Sequence, residues 1–429
     1  MMLTGSAVPG RFHTTPGRRM RFCLLTTFYP PFNFGGDGID VQRTARALVA
    51  RGHDVTVVHD VDAHRWLSGL RLPPQPRDQD GVEVIGLHSR LGVAASFLTH
   101  QLGRPVVHRR ELERLVLERR FDVMVFNNVS LVGGPGLLSL GGDALRVYMA
   151  HEHWLVCPTH VLWRYNREPC DARSCTRCVI SYRRPPQVWR YTNMLDRAIG
   201  QVDLFVARSE FSRKKHEEFG FTRPMAVLPY FLPDAPAETT RTRTARPHDR
   251  PYFLYVGRLT KIKGVDSVIP AFKGYPDADL LVIGDGEELA ALKTLATGVP
   301  NVKFLGRVAN DKLGPYYEHA IAALVPSVGF ETFGIVLIEA FRQRTPVIAR
   351  RLGPFPEIVE AANGGILFSD TKELVTALGR MQHDSALRDS FATSAARAVD
   401  ALWSEHAVMD RFLELISTAS AARAASRVT

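Results

Sequence analysis

The chain has 429 residues, 45% of them hydrophobic and 23% charged, with 33 glycines and 27 prolines. This composition excludes disordered, collagenous and coiled-coil classes and allows two or three domains. Five cysteines in a chain of this length exclude a disulfide scaffold. The net charge of +10 is uneven: residues 1–19 carry three basic and no acidic side chains, residues 20–232 carry 28 Lys and Arg against 21 Asp and Glu, and residues 233–429 carry 23 of each. The whole excess lies in the front half, unlike a uniformly basic nucleic-acid binder.

Residues 1–19 are polar, with Pro9, Gly10 and Pro16 where a signal peptide needs an apolar run. They read as an N-terminal extension, with Met20 as a candidate start and a reducing, cytoplasmic address. A short apolar run from Arg21 is followed by Pro30-Pro31 and a glycine turn at Gly35-Gly36. Ile39, Val41, Ala45, Leu48 and Val49 then recur at helical spacing before the apolar run 55–58, so the start of the chain reads as a β-loop-α-β unit. Further buried parallel strands are predicted at 121–126, 145–149 and 204–207. The uncharged stretch 123–142 is broken by Asn127-Asn128 and Gly133-Gly134-Pro135-Gly136, and reads as a strand and loop, not a membrane span. Residues 233–250 lack apolar periodicity and read as a linker. A second alternation follows, with strands predicted at 252–256, 280–283, 302–304, 322–325 and 347–349. The chain past Asp370 is predicted helical, with Leu402, Trp403, Val408, Met409, Phe412, Leu413 and Ile416 on one face. Two βα domains in tandem, 20–232 and 251–400, with a C-terminal helix over 401–429, place the active site in the cleft between them.

Glu331 and Glu339 follow the strand that ends near Val325. If the segment between them is helical, eight positions at about 1.5 Å rise separate their backbones by roughly 12 Å. A retaining carboxylate pair stands about 5–5.5 Å apart, so these two acids would touch different parts of one extended ligand. Free N–H groups near Gly334 would seat a phosphate. Arg258 and Lys263, after the strand 252–256, are placed to neutralise a diphosphate, and Gly284-Asp285-Gly286 and Gly306-Arg307-Val308 form turns where backbone could meet a planar base. Singly, each of these is ordinary α/β loop chemistry.

Taken in order, Gly257-Arg258, Lys263-Gly264, Gly284-Asp285-Gly286, Gly306-Arg307-Val308, Pro326-Ser327, Phe330-Glu331-Thr332-Phe333-Gly334 through Glu339-Ala340, and Gly353-Pro354-Phe355-Pro356-Glu357 resemble family 4 glycosyltransferases. These are retaining enzymes of the GT-B fold that use nucleotide sugars. The resemblance is strongest over 251–370 and continues collinearly from Met20, where Gly35-Gly36 resembles the family's glycine loop and His151 its active-site histidine. It implies that Arg258 and Lys263 grip the diphosphate, that Glu339 binds ribose hydroxyls and that Glu331 holds sugar hydroxyls. It also implies that Phe333-Gly334 and Gly284 line the donor site, that the turn at Val308 meets the base, and that His151 lies beside the transferred sugar. Retention would come from front-face attack assisted by the leaving phosphate, without a catalytic metal. Two Asp-x-Asp matches, Asp60 with Asp62 and Asp277 with Asp279, would suit a metal-dependent single-domain fold, which the tandem layout does not favour.

Four cysteines, Cys157, Cys170, Cys175 and Cys178, fall within 22 residues, inside an insertion over about 151–192. The cluster reads most simply as a structural zinc site, with free thiols or redox chemistry as alternatives; Cys23 reads as core. The insertion interleaves aromatics with arginines, including Trp154, Trp163, Arg164, Trp189 and Arg190. Such a face could stack on sugars or bases, or simply be packed and solvated. With the front-half charge it suggests an anionic acceptor or one carried at the inner membrane face. The expected function is retaining transfer of a sugar from a nucleotide donor to a hydroxyl acceptor on a glycan, lipid-linked or small molecule. The alternatives are a nucleotide-sugar epimerase or hydrolase, or a non-catalytic nucleic-acid- or membrane-binding protein.

Overall fold

A computed structural model describes residues 18–68, 80–234 and 244–426. The predicted extension up to Gly17, and residues 235–243 of the predicted linker, lie outside the described residues.

The first half builds a seven-stranded sheet from β1 (Arg21–Leu25), β2 (Asp54–Asp60), β3 (Glu83–Leu87), β4 (Val123–Phe126) and β5 (Leu145–Ala150). After a two-stranded hairpin of β6 (Trp163–Arg164) and β7 (Glu168–Pro169), the sheet is completed by β8 (Leu204–Ala207) and β9 (Met225–Val227). Its order is β3-β2-β1-β4-β5-β8-β9, and every paired neighbour is parallel. The second half gives β10 (Tyr252–Val256), β11 (Asp279–Ile283), β12 (Val302–Gly306), β13 (Ala323–Val325), β14 (Val347–Arg350) and β15 (Gly365–Phe368), ordered β12-β11-β10-β13-β14-β15 and again parallel.

β4, β10 and β13 are apolar along their whole length because helices cover both faces of each sheet. Two separate buried clusters flank the first sheet, one containing Cys23, Leu25 and Phe126 and the other Phe22, Leu24 and Val125. Alternate residues of β1 therefore point to opposite cores. The second sheet has the same division, with Leu254 on one face and Phe253 on the other. The chain is thus two Rossmann-like domains facing across a cleft. No helix among the described residues is long and apolar enough to cross a membrane.

The last helix, Glu405–Ser426, does not stay with the second domain. Val408, Met409, Phe412 and Ile416 enter the first domain's cluster beneath β1 and β4. Arg51 ties the start of this helix through Glu405 at 2.9 Å, and Arg423 near its end reaches Asp203 at 3.2 Å. Where the chain recrosses, Leu232 N–H donates to Trp403 O at 3.0 Å, so the outgoing and returning strands of chain are bonded side by side. Truncating the buried Phe412 to alanine should lower the stability of the first domain by about 3–5 kcal/mol. Urea denaturation followed by tryptophan fluorescence checks this.

Candidate active site

Two helices point their N-termini into the cleft. Gly36–Ala50 follows the turn Phe34-Gly35-Gly36 in the first domain, and Ile335–Arg342 follows Gly334 in the second. They nearly touch: a Cβ placed on Gly36 would lie 4.0 Å from Ile335 Cγ2. Each end presents backbone N–H groups without intrahelical partners, so the junction carries positive potential from both sides. Gly334 has φ +101, and a Cβ there would fall 2.7 Å from the Phe355 ring, so the sharp entry into the second helix requires glycine.

The second helix begins at Ile335, just after Gly334, so the segment from Glu331 to Glu339 is helical only in its second half. Glu339 lies on the helix, whereas Glu331 lies in the turn ahead of it, between Ser327 and Gly334. Lys263, in the turn Lys261–Lys263 after β10, donates to Glu331 Oε1 at 2.8 Å, and Ser327 Oγ donates to the same oxygen at 2.5 Å. Burial pushes the Glu331 carboxyl up, but Lys263, Ser327 and Arg258 together outweigh it and leave it below the usual carboxylate range. Arg258 is exposed and close enough to both Glu331 and Asp37 to favour their charged forms.

Glu339 faces the other domain. Its Oε1 stands 3.7 Å from Arg43 Nη2 of the helix Gly36–Ala50, and burial raises its carboxyl despite that cation. Val308 is half-buried beyond β12. Gly284 N–H bonds to Gly306 O at 2.8 Å, and a Cβ on Gly284 would fall 1.9 Å from Gly257 O. Glycine at 284 is therefore required by the close approach of neighbouring strand ends. Phe333 is buried, with its ring edge-on to Tyr230 at 5.5 Å.

His151 follows β5 and is buried beside this junction. Its ring nitrogens meet Tyr230 Oη at 3.0 Å and Asn127 Oδ1 at 2.9 Å. Its carbonyl accepts from Thr332 Oγ1 of the second domain at 3.0 Å. Ser209 Oγ donates across the cleft to Thr332 O at 2.6 Å, and Glu357 accepts from the Glu210 and Phe211 N–H groups at 3.2 and 3.0 Å. A carboxylate of one domain thus caps a helix of the other, Glu210–Glu218. Thr332 and Glu357 lie in the family motif without a role there, Asn127 reads in sequence only as a break in an apolar stretch, and Asp40, Arg43, Arg208, Ser209 and Tyr230 went unnoticed. Asp40 was accessible to pattern reading, because it lies on the otherwise apolar face of its helix with Val41, Ala45 and Leu48.

Both Asp-x-Asp pairs have structural partners. Asp60 and Asp62 accept from Ala63 N, Ser89 N, Ser89 Oγ and Ser96 Oγ, and Asp279 is held by His248 and Arg250. The four clustered cysteines line one small cavity of about 20 Å³ together with Thr159, Trp163 and Arg164. All four are free thiols, and burial pushes Cys170 up to about 11. As the side chains are turned here, no three His, Cys, Asp or Glu groups among the described residues are arranged to hold a metal ion. The insertion is divided: its tryptophans fold inward, while Arg167, Arg173, Arg177, Arg183 and Arg184 are exposed. Trp154, Trp163 and Trp189 are buried, and Arg190 stacks on Trp154 and Trp189 at 5.3 and 4.6 Å while bonding to Trp154 O. The tryptophans are thus packed and not open for stacking, and the outward face is arginine-rich.

The facing sheets and the cleft between them are those of the GT-B fold. Residues 34–233 match the model described as Glycosyltransferase Family 4, and residues 236–398 match Glycosyl transferases group 1. The chain belongs to glycosyltransferase family 4. It is 32% identical over 152 residues to the sulfoquinovosyl transferase of Arabidopsis thaliana, covering 34% of this chain and 29% of that protein. It is 28% identical over 223 residues to the lipopolysaccharide core biosynthesis glycosyltransferase LpsE of Rhizobium meliloti, covering 51% and 65%. The matched regions thus span from under a third to just under two thirds of these relatives' length. Among solved structures, sucrose-phosphate synthase from Thermosynechococcus elongatus superposes with a TM-score of 0.67 at 20% identity, over 94% of this chain and 100% of that one. HepE of Anabaena in complex with UDP-glucose gives 0.63 at 19%, over 93% and 100%.

Replacing Lys263 with alanine leaves Glu331 without its main cation. The Glu331 carboxyl lies below its ordinary value in the native fold, so the pair contributes stability above about pH 4.5 that is lost as the pH falls through the native value. The variant should be less stable than the parent by about 1–3 kcal/mol at neutral pH. The gap should shrink in acid, as urea denaturation at both pH values will read.

Proposed function

We propose that the chain is a retaining transferase that moves a sugar from a nucleoside diphosphate donor to a hydroxyl acceptor. The second domain holds the donor and the first meets the acceptor. The observation that carries this reading is the meeting of two helix N-termini beside Lys263, Arg258 and Glu331. Unpaired N–H groups from both domains converge there with two cations, which suits a diphosphate bridging the cleft. Complexes of the similar HepE with UDP and with UDP-glucose support the donor class.

In this reading Arg258 and Lys263 neutralise charge on the leaving diphosphate, Glu331 orients sugar hydroxyls and Glu339 takes the ribose. Gly35 and Gly36 bring backbone against the phosphates, and the turns at Gly284 and Val308 lie toward the base. No carboxylate is assigned as nucleophile, because Glu331 is engaged by Lys263 and Ser327, and Glu339 faces Arg43. The leaving phosphate would then take the acceptor proton on the same face. Catalysis is read as needing no metal.

The basic excess of the front half supports an anionic or lipid-linked glycan acceptor, reached from the cytoplasmic side of a membrane. The lipopolysaccharide core enzyme LpsE and a phosphatidyl-myo-inositol mannosyltransferase of Mycobacterium leprae, among the relatives, fit that class. Structural zinc remains part of the proposal for the cysteine cavity. It would require thiols converging from the loop at Cys157, the end of β7 and the helix Cys175–Ser181 to turn inward as thiolates, and it would brace the insertion without an open catalytic position.

A panel of nucleotide sugars with a glycolipid acceptor should give transfer with retained anomeric configuration. Glu331→Ala and Lys263→Ala should each lower turnover by about 100-fold; unchanged turnover in both would sink the site assignment. Nucleotide release without acceptor would favour a hydrolase, and an epimeric sugar an epimerase. Elemental analysis of the purified chain should find one zinc, and four titratable thiols without metal would remove that element.

A further inference from the structure

His151 is enclosed by groups that decide where its proton sits. The Asn127 amide nitrogen faces the Leu25 and Val125 carbonyls at 3.4 and 3.3 Å, which turns its oxygen toward His151 Nε2 at 2.9 Å. Nε2 is therefore the donor, and Nδ1 accepts from the Tyr230 hydroxyl at 3.0 Å. Neither ring nitrogen is left over for a substrate.

The charged neighbours are Arg208, at the end of β8, and Asp40, on the helix Gly36–Ala50. Arg208 Nη2 lies 3.2 Å from Nε2 and 3.4 Å from Nδ1, its guanidinium stacks on Tyr230 at 4.5 Å, and it bonds to Asp40. Asp40 Oδ2 is 4.0 Å from Nδ1, and Asp37 and Arg43 on the same helix act on Asp40. The Asp40 and Arg208 side chains are 1% and 3% exposed, so each charge depends on the other for its place in the interior. The cation stands nearer the ring than the anion, so the pair as a whole disfavours the imidazolium. Burial first, and Arg208 second, hold His151 well below its ordinary value.

We propose that Asp40 and Arg208 are positioning residues that hold His151 as the neutral Nε2–H tautomer, so that the imidazole serves the transfer through its fixed place and not as an acid or base. The inference rests on reading His151 as lying beside the transferred sugar, but its first test needs no turnover. Asp40 alone beside the ring would draw a proton onto it, and Arg208 alone would be a buried, unbalanced cation. The two together give a site that stays neutral.

Ring 15N NMR of the full chain, with His151 assigned against His151→Gln, should show the neutral Nε2–H tautomer from about pH 5.5 to 8.5. Arg208→Lys should leave it so. Arg208→Gln should bring protonation into that window, and Asp40→Asn combined with Arg208→Gln should remove it again. An imidazolium or an Nδ1–H tautomer in the parent chain overturns the proposal, even if Arg208→Gln fails to fold, as does an unshifted titration in a folded Arg208→Gln. With an active donor, Arg208→Gln should lose about tenfold in turnover between pH 8 and pH 6 while Arg208→Lys does not. An unchanged profile overturns the positioning role and leaves the transferase reading intact. Absence of turnover in the parent counts against the transferase reading and leaves the NMR result standing.

Discussion

Two helix ends held against one another across a cleft are the constraint on which the arrangement depends. Each brings partial positive charge to the same small volume, and the acidic side chains around them are set by that field. Asp37 sits in the first turn of one helix, Glu331 just ahead of the other, and Glu339 one turn in, each with a polar or cationic neighbour in Asn128, Lys263 or Arg43. One of those neighbours, Arg43, belongs to the opposite domain from the acid it serves, so that part of the site forms only when both domains are in register. The polar clasp of Ser209, Thr332 and Glu357 supplies that register with hydrogen bonds whose donors and acceptors belong to opposite sheets.

Much of this architecture can be read from the sequence because parallel strands covered on both faces leave unbroken apolar runs. The runs at 204–207 and 252–256 coincide with β8 and β10. The strands that pattern reading missed are β3, β9 and β15, which are sheet edges, and the two-residue strands β6 and β7 of the hairpin. An edge strand packs against one neighbour, so Glu83-Val-Ile-Gly-Leu and Gly365-Ile-Leu-Phe carry less of the pattern and fewer fully buried residues. Motif residues of the second domain were legible because they follow strand ends in order. The groups around His151 were not, because Asn127, Arg208 and Tyr230 come from three segments that only the sheet order brings together. Glu331 and Glu339 were legible as a pair, but the helix start between them depends on the positive φ of Gly334.

The insertion after β5 shows how composition alone misleads about surface. Arginine among tryptophans suggests a face for ligands, yet Arg190 spends its charge on two rings and a carbonyl inside the fold, and the Trp189 indole N–H is used by His100 O at 2.9 Å. The tryptophans act as a brace between the hairpin and the helix Val93–Leu102. What remains outward is Arg167, Arg173, Arg177, Arg183 and Arg184, with Ile180, Val188 and Tyr191 among them.

The return of the last helix to the first domain makes the junction a pair of crossings, and the bond from Leu232 N–H to Trp403 O laces them together. A single tether would let the halves separate and tumble. Two adjacent, bonded tethers restrain the halves against one another more than either would alone. The C-terminal helix in this sense acts as a strap: remote from the cleft, it ties the second domain back to the core of the first.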